Sequence, residues 1–119
     1  KGKKTQKAAD TALVTQKHRK VYESATKLPG AVDAIKKYPK QFKQYSGLPT
    51  ENLRKASTTH AKQIADHQAK IANPRKHIPD WDSLHPNRQE HLLTKKWPDD
   101  IKRHEAYKAI ADTILDTRN

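Results

Sequence analysis

The chain of 119 residues carries 25 Lys and Arg against 13 Asp and Glu, a net charge of +12, with a hydrophobic fraction of 33% and a mean hydropathy of -1.13. Such a chain supports one domain with a thin core, and so basic a surface draws polyanions, nucleic acid first. The absence of cysteine excludes disulfides and thiolate zinc sites; the absence of a signal-peptide pattern and of any apolar run near about 18 residues leaves no secretory address or membrane span to read.

Residues 1–8 read as a basic flexible tail, and 9–119 as a single helical domain with a basic part, 9–48, ahead of a site-bearing part, 49–119. Charge divides the same way: residues 1–59 hold 14 basic and 4 acidic side chains, net +10, and residues 60–119 hold 11 and 9, net +2. There is no methionine, even at position 1, which points to a piece of something longer. Leu13, Val14, Val21 and Ala25 fit a helical stripe over 9–27, stopped by Leu28-Pro29-Gly30. Short helices follow over 31–37 and 39–45, with Val32, Ile35, Phe42 and Tyr45 turned to the core. From Thr50 to Ala72 the positions Leu53, Ala56, His60, Ile64, His67 and Ile71 recur at three- and four-residue steps, the strongest periodicity in the chain and one face of a long helix. Asn73-Pro74 ends it, and a loop with Pro79 and Trp81 leads to Pro86, placed to open a helix to about Lys95. Pro98 repeats that device for a last helix, with Asp99 and Asp100 in its first turn and Ile101, Tyr107, Ile110, Ala111, Ile114 and Leu115 on its apolar side. No segment alternates as a strand, so the expectation is an all-α bundle of five to six helices around one long central helix.

His60 and His67 lie two turns apart on the stripe of the long helix and face inwards. An imidazole titrates near working pH, so either can serve as a general base or acid in phosphodiester cleavage, or simply be a hydrogen-bonded core residue. Gln63 and Lys70 flank His67 by one turn on either side, so that a base, a cation and an amide could converge on one phosphate. Arg88 and Arg103 are the guanidinium candidates for a phosphate fork, with His104 beside the second; surface ion pairs with Glu90, Asp99 or Asp100 are the competing reading. Trp81 and Trp97 can stack on unpaired bases or pack as staples, while His77, Lys17, Arg19, Lys36 and Lys37 are further candidates for substrate contact. Asp66, His67, His77, Asp80 and Asp82 offer a weaker set of metal ligands, with no HExxH or histidine-rich finger among them, and nucleotide-hydrolysis and nucleophile-elbow motifs are missing. The catalytic set that follows is His67, Lys70, Arg88 and Arg103, with no cofactor.

Tyr45-Ser46-Gly47-Leu48, Leu53, Lys55, Ser57, Gln63-Ile64, His67, Lys70-Ile71, Asn73-Pro74, His77-Ile78-Pro79, Trp81, Leu84, Arg88-Gln89, Lys96-Trp97, Asp100-Ile101 and Arg103 form a pattern over roughly the last two-thirds of the chain. It resembles the C-terminal toxin domains of bacterial polymorphic toxins, of the Rhs-repeat and contact-dependent growth-inhibition kind. The resemblance implies a domain secreted or displayed at the end of a larger protein, acting as a nuclease in the cytoplasm of a neighbouring cell, with tRNA a frequent target. It also implies a cognate immunity protein, expected to be acidic against so basic a surface, and leaves room for a host activator protein. His85 departs from the pattern, which has an acidic or small residue before the proline of the penultimate helix, and residues 1–44 match nothing in it. The expected function is therefore a metal-independent ribonuclease; a metal-dependent DNase and a basic helical module that binds nucleic acid without turnover are the alternatives.

Overall fold

The computed structural model describes residues 19–118, so the tail, Lys17, and the expected helix positions before Arg19 lie outside the described residues. Helix follows helix: α1 (Arg19–Ala25), α2 (Ala31–Lys37), α3 (Pro39–Ser46), α4 (Thr50–Ala72), α5 (Pro74–His77), a 3-10 turn (Trp81–Ser83), α6 (Pro86–His91), a π turn (Leu92–Lys96) and α7 (Trp97–Thr117). The domain is all-α, with no strand among the described residues.

Local chemistry explains the breaks. Gly30 takes φ 74° to turn the chain into α2, a conformation open to glycine, and nothing lies within 4 Å of where its Cβ would be, so the backbone angle alone selects the residue. Pro39 and Pro74 each stand at the first turn of a helix, where a missing N–H leaves no acceptor short. His85, the departure noted above, serves as a cap: its Nδ1 accepts the backbone N–H of Asn87 at 3.1 Å.

The expected break before Pro98 is absent. α6, the π turn and α7 run on without a loop, and the Trp97 N–H reaches back five residues to the Leu92 carbonyl. The wider turn gives the Pro98 ring room that a tight α-turn would deny it. The long central helix α4 therefore has a partner of nearly equal length, 23 residues against 21. The two are antiparallel, since Ser57 meets Asp112, His60 meets His104 and His67 meets Asp100, one number rising as the other falls.

Two hydrophobic clusters flank that seam. The larger joins Ala25, Ala31, Ala34, Ile35, Phe42 and Tyr45 of α1–α3 to Leu53 of α4 and Ile110, Ala111 and Ile114 of α7. The smaller joins Trp81, Leu92 and Trp97, with Ile71, Ile78, Leu84 and Leu93 packed around them. Arg118 clasps the end of α7 to the α3–α4 turn, donating to the Leu48 and Ser46 carbonyls at 2.7 and 3.1 Å.

Candidate active site

Between the two clusters the seam is polar. The stripe that gives α4 Leu53 and Ala56 at one end and Ile71 at the other carries His60 and His67 in its middle, as the periodicity requires. On α7 the stripe through Tyr107, Ile110 and Ile114 runs back to His104 and Asp100, so the same register that builds the core sets these polar groups opposite the α4 histidines.

His67 is the most enclosed of the four expected catalytic residues. Its Nδ1 donates to the Gln63 carbonyl at 2.7 Å and its Nε2 faces Asp100 Oδ2 at 3.4 Å, with side-chain exposures of 11% and 9%. Both ring nitrogens thus face oxygen acceptors. Asp100 also accepts from Lys96 Nζ at 2.9 and 3.2 Å and lies 3.4 Å from the Arg103 guanidinium. Burial pushes the Asp100 carboxyl up; the hydrogen bond from Lys96 and the charges of Lys96, Arg103 and His67 outweigh it and leave it below the usual carboxylate range. Lys96 and Arg103 remain about half exposed, at 52% and 46%, so their donors reach solvent as well as Asp100.

His104 connects this group to a second one. Its ring lies 5.9 Å from that of His67 and 5.2 Å from that of His60, and the His60 and His104 Nδ1 atoms meet at 3.0 Å. One proton fits between those nitrogens; charging both rings sets two N–H groups head to head. Burial pushes His104 below the ordinary histidine range, helped by the charges of Arg103 and His67, and does the same to His60, helped by His104 and Arg103. The Tyr45 hydroxyl closes the chain 2.7 Å from His60 Nε2, and Tyr107 meets the His60 ring edge to face at 5.6 Å. Burial beside Tyr107 raises the Tyr45 hydroxyl above its usual range, against a hydrogen bond from Gln41.

Among the residues expected from sequence, the fold brings together His60, His67, His104 and Arg103. Lys70 does not join them: its ammonium pairs with Asp66 one turn away at 3.1 Å and holds that carboxyl below its ordinary range. Gln63 contributes its backbone carbonyl in place of the expected side-chain amide. Arg88 stays exposed on α6, and no hydrogen bond, ion pair or ring contact joins it to the histidines among the described residues. Of the two readings open for Trp81, stacking on a base or packing, the fold shows packing: it is buried against Trp97, ring centroids 5.8 Å apart and nearly parallel. His77 ends α5 exposed, Arg19 pairs with Glu23 at 3.3 Å on the surface, Lys36 is exposed, and Lys37 lies 5.5 Å from the Tyr38 ring. Asp100, Lys96, Tyr45 and Tyr107 were missed as site residues. The available signal was Asp100 and His104 continuing an apolar stripe, where a polar residue needs a partner across the seam.

Comparison with protein-family models, with curated proteins and with solved structures returns no match. The donor atoms therefore have to speak for themselves. Among the described residues no group of three or more His, Asp or Glu side chains is arranged to hold a metal ion, the set Asp66, His67, His77, Asp80 and Asp82 included. What the seam offers is two imidazoles in opposite settings, one against a carboxylate and one among cations, with a guanidinium and an ammonium at the rim.

Proposed function

We propose that this domain is a metal-independent ribonuclease, working through His67 and His104 with Arg103 and Lys96. The observation that carries the reading is the electrostatic contrast between the two histidines across the α4–α7 seam. Cleavage beside a 2'-hydroxyl needs a neutral imidazole to take its proton, a charged one to protonate the leaving 5'-oxygen, and cations on the phosphate between them. Burial and the nearby cations favour neutral His104, which serves as the base through Nε2, with its Nδ1–H donated to His60. His67, whose Nε2 faces the Asp100 carboxylate at 3.4 Å, serves as the acid. Arg103 and Lys96, already drawn to one anion, turn their exposed donors to the phosphate.

On the resemblance set out above, the domain would be the toxin end of a larger secreted protein, directed at tRNA in the cytoplasm of a neighbouring cell and held off in its producer by an acidic immunity protein. The net charge of +12 supports an RNA target and a negatively charged inhibitor.

Incubation of the purified domain with total bacterial RNA in EDTA, followed by a denaturing gel, tests the activity. Discrete tRNA-sized fragments are expected, with His67→Ala and His104→Ala each slower by about 100-fold or more. RNA left intact, or cut equally fast by both variants, removes the reading; DNA cut only with added magnesium replaces it with the metal-dependent alternative.

A further inference from the structure

Beside the histidine chain the surface carries a recess of about 410 Å³ lined by Lys37, Tyr38, Pro39, Lys40, Gln41 and Tyr107. Its volume lies within the range of small-ligand sites, about 300–1,000 Å³. The lining combines two phenol rings, two exposed lysines and one amide. Tyr38 and Tyr107 stand edge to face with centroids 5.0 Å apart, and Lys37 sits 5.5 Å from the Tyr38 ring. Aromatic surface for a base, ammonium groups for phosphate and an amide able to both donate and accept along a base edge are the elements by which unpaired nucleotides are held.

The recess is also joined to the chemistry. Tyr107 is one turn beyond Arg103 and His104 on α7, and its ring packs on His60. Gln41 lies one turn before Tyr45 on α3, and the Tyr45 hydroxyl meets His60 Nε2. A nucleotide lying there would continue from the phosphate at Arg103 along the same face of α7 towards the N-terminal end of α3.

We propose that this recess is a nucleotide subsite, taking one unpaired base and an adjoining phosphate of a single-stranded RNA segment. The base lies against Tyr38 and Tyr107 with Gln41 on its edge, and Lys37 leaves the Tyr38 ring to join Lys40 on the phosphate. This rests on the ribonuclease reading for its purpose, though its binding chemistry can be measured without turnover.

Adenosine 3'-monophosphate is the probe, titrated into the wild-type domain and followed by amide and aromatic NMR shifts, with adenosine and inorganic phosphate in parallel. Shifts at Tyr38, Gln41 and Tyr107 are expected, with the nucleotide binding at least 10-fold tighter than either fragment. The exposed pair Lys37→Ala/Lys40→Ala should bind it at least 10-fold more weakly while keeping the wild-type circular dichroism. Gln41→Ala supplies a milder check that leaves both rings in place. Phosphate binding as tightly as the nucleotide, no shifts in the recess, or unchanged affinity in the lysine variant overturns the proposal. Nucleotide binding alongside intact RNA would discard the ribonuclease reading and keep the subsite; cleavage without binding in the recess would do the reverse.

Discussion

The ends of the α4–α7 seam and its middle are built on opposite terms. At one end Leu53 packs with Ile110 and Ile114, with Ser57 donating to Asp112 beside them, and at the other Ile71 meets the Trp81–Trp97 pair. The middle holds three imidazoles and a carboxylate, each tied to a particular partner atom. Desolvating such groups returns less stability than leucine or isoleucine would in the same space. The polar layer set between those apolar clusters is the place where the ribonuclease proposal puts its chemistry.

The largest effects should come from the apolar ends. Trp97→Ala is expected to cost about 3–5 kcal/mol and Ile110→Ala about 2–5 kcal/mol, read by urea unfolding. The two should differ in where they act. Loss of Trp97 should speed amide exchange over 74–91 while α2 and α3 stay protected; loss of Ile110 should release α1–α3 with the seam. Uniform acceleration in both variants would make the two clusters one cooperative unit and erase the distinction between them.

Periodicity made the ends legible and half of the middle. Leu53, Ile64 and Ile71 announce the α4 face, and His60 and His67 follow by spacing alone. The α7 half was harder, because Asp100 sits two residues after a proline, where negative charge is expected at a helix start, and that explanation hid its role across the seam. Continuity through Pro98 was also hidden, since a proline reads as a helix start unless a π turn precedes it, and no local residue signals one. Lys70 shows the limit of spacing, which places a side chain on a face but does not choose between a partner on that face, here Asp66, and a ligand.

Within the middle, Asp100 should matter most. Asp100→Asn keeps the shape and removes the charge that balances Lys96, Arg103 and His67, and hydrogen bonds to charged groups contribute about 1.5–3 kcal/mol each. Lys96 and Arg103 can turn to water, so the loss belongs at the low end of that range, with RNA cleavage falling much further than stability. Unfolding at pH 7 checks it; a variant as stable and as active as the wild type would show that the carboxylate balances nothing.

The smallest effect is a pH dependence specific to the imidazole pair. His60 and His104 both titrate below their ordinary range when folded, because burial and neighbouring cations disfavour their charged forms. The unfolded chain, with histidines near about 6.5, therefore binds more protons than the folded one once the pH drops below that value. Their contribution is present above about 6.5 and lost as pH falls through the folded values. Asp100, also depressed, adds a separate loss that begins only near its unfolded value of about 3.9. Melting temperature measured from pH 8 to pH 3 should thus fall in two stages. In the double variant His60→Leu/His104→Leu the first stage should flatten while the second persists, since leucine fills the seam without binding a proton and leaves Asp100 with its cations. A wild-type melting temperature that rises on acidification to pH 5, or a double variant with the same first slope, would place the titrating groups elsewhere and leave the His60–His104 contact as packing alone.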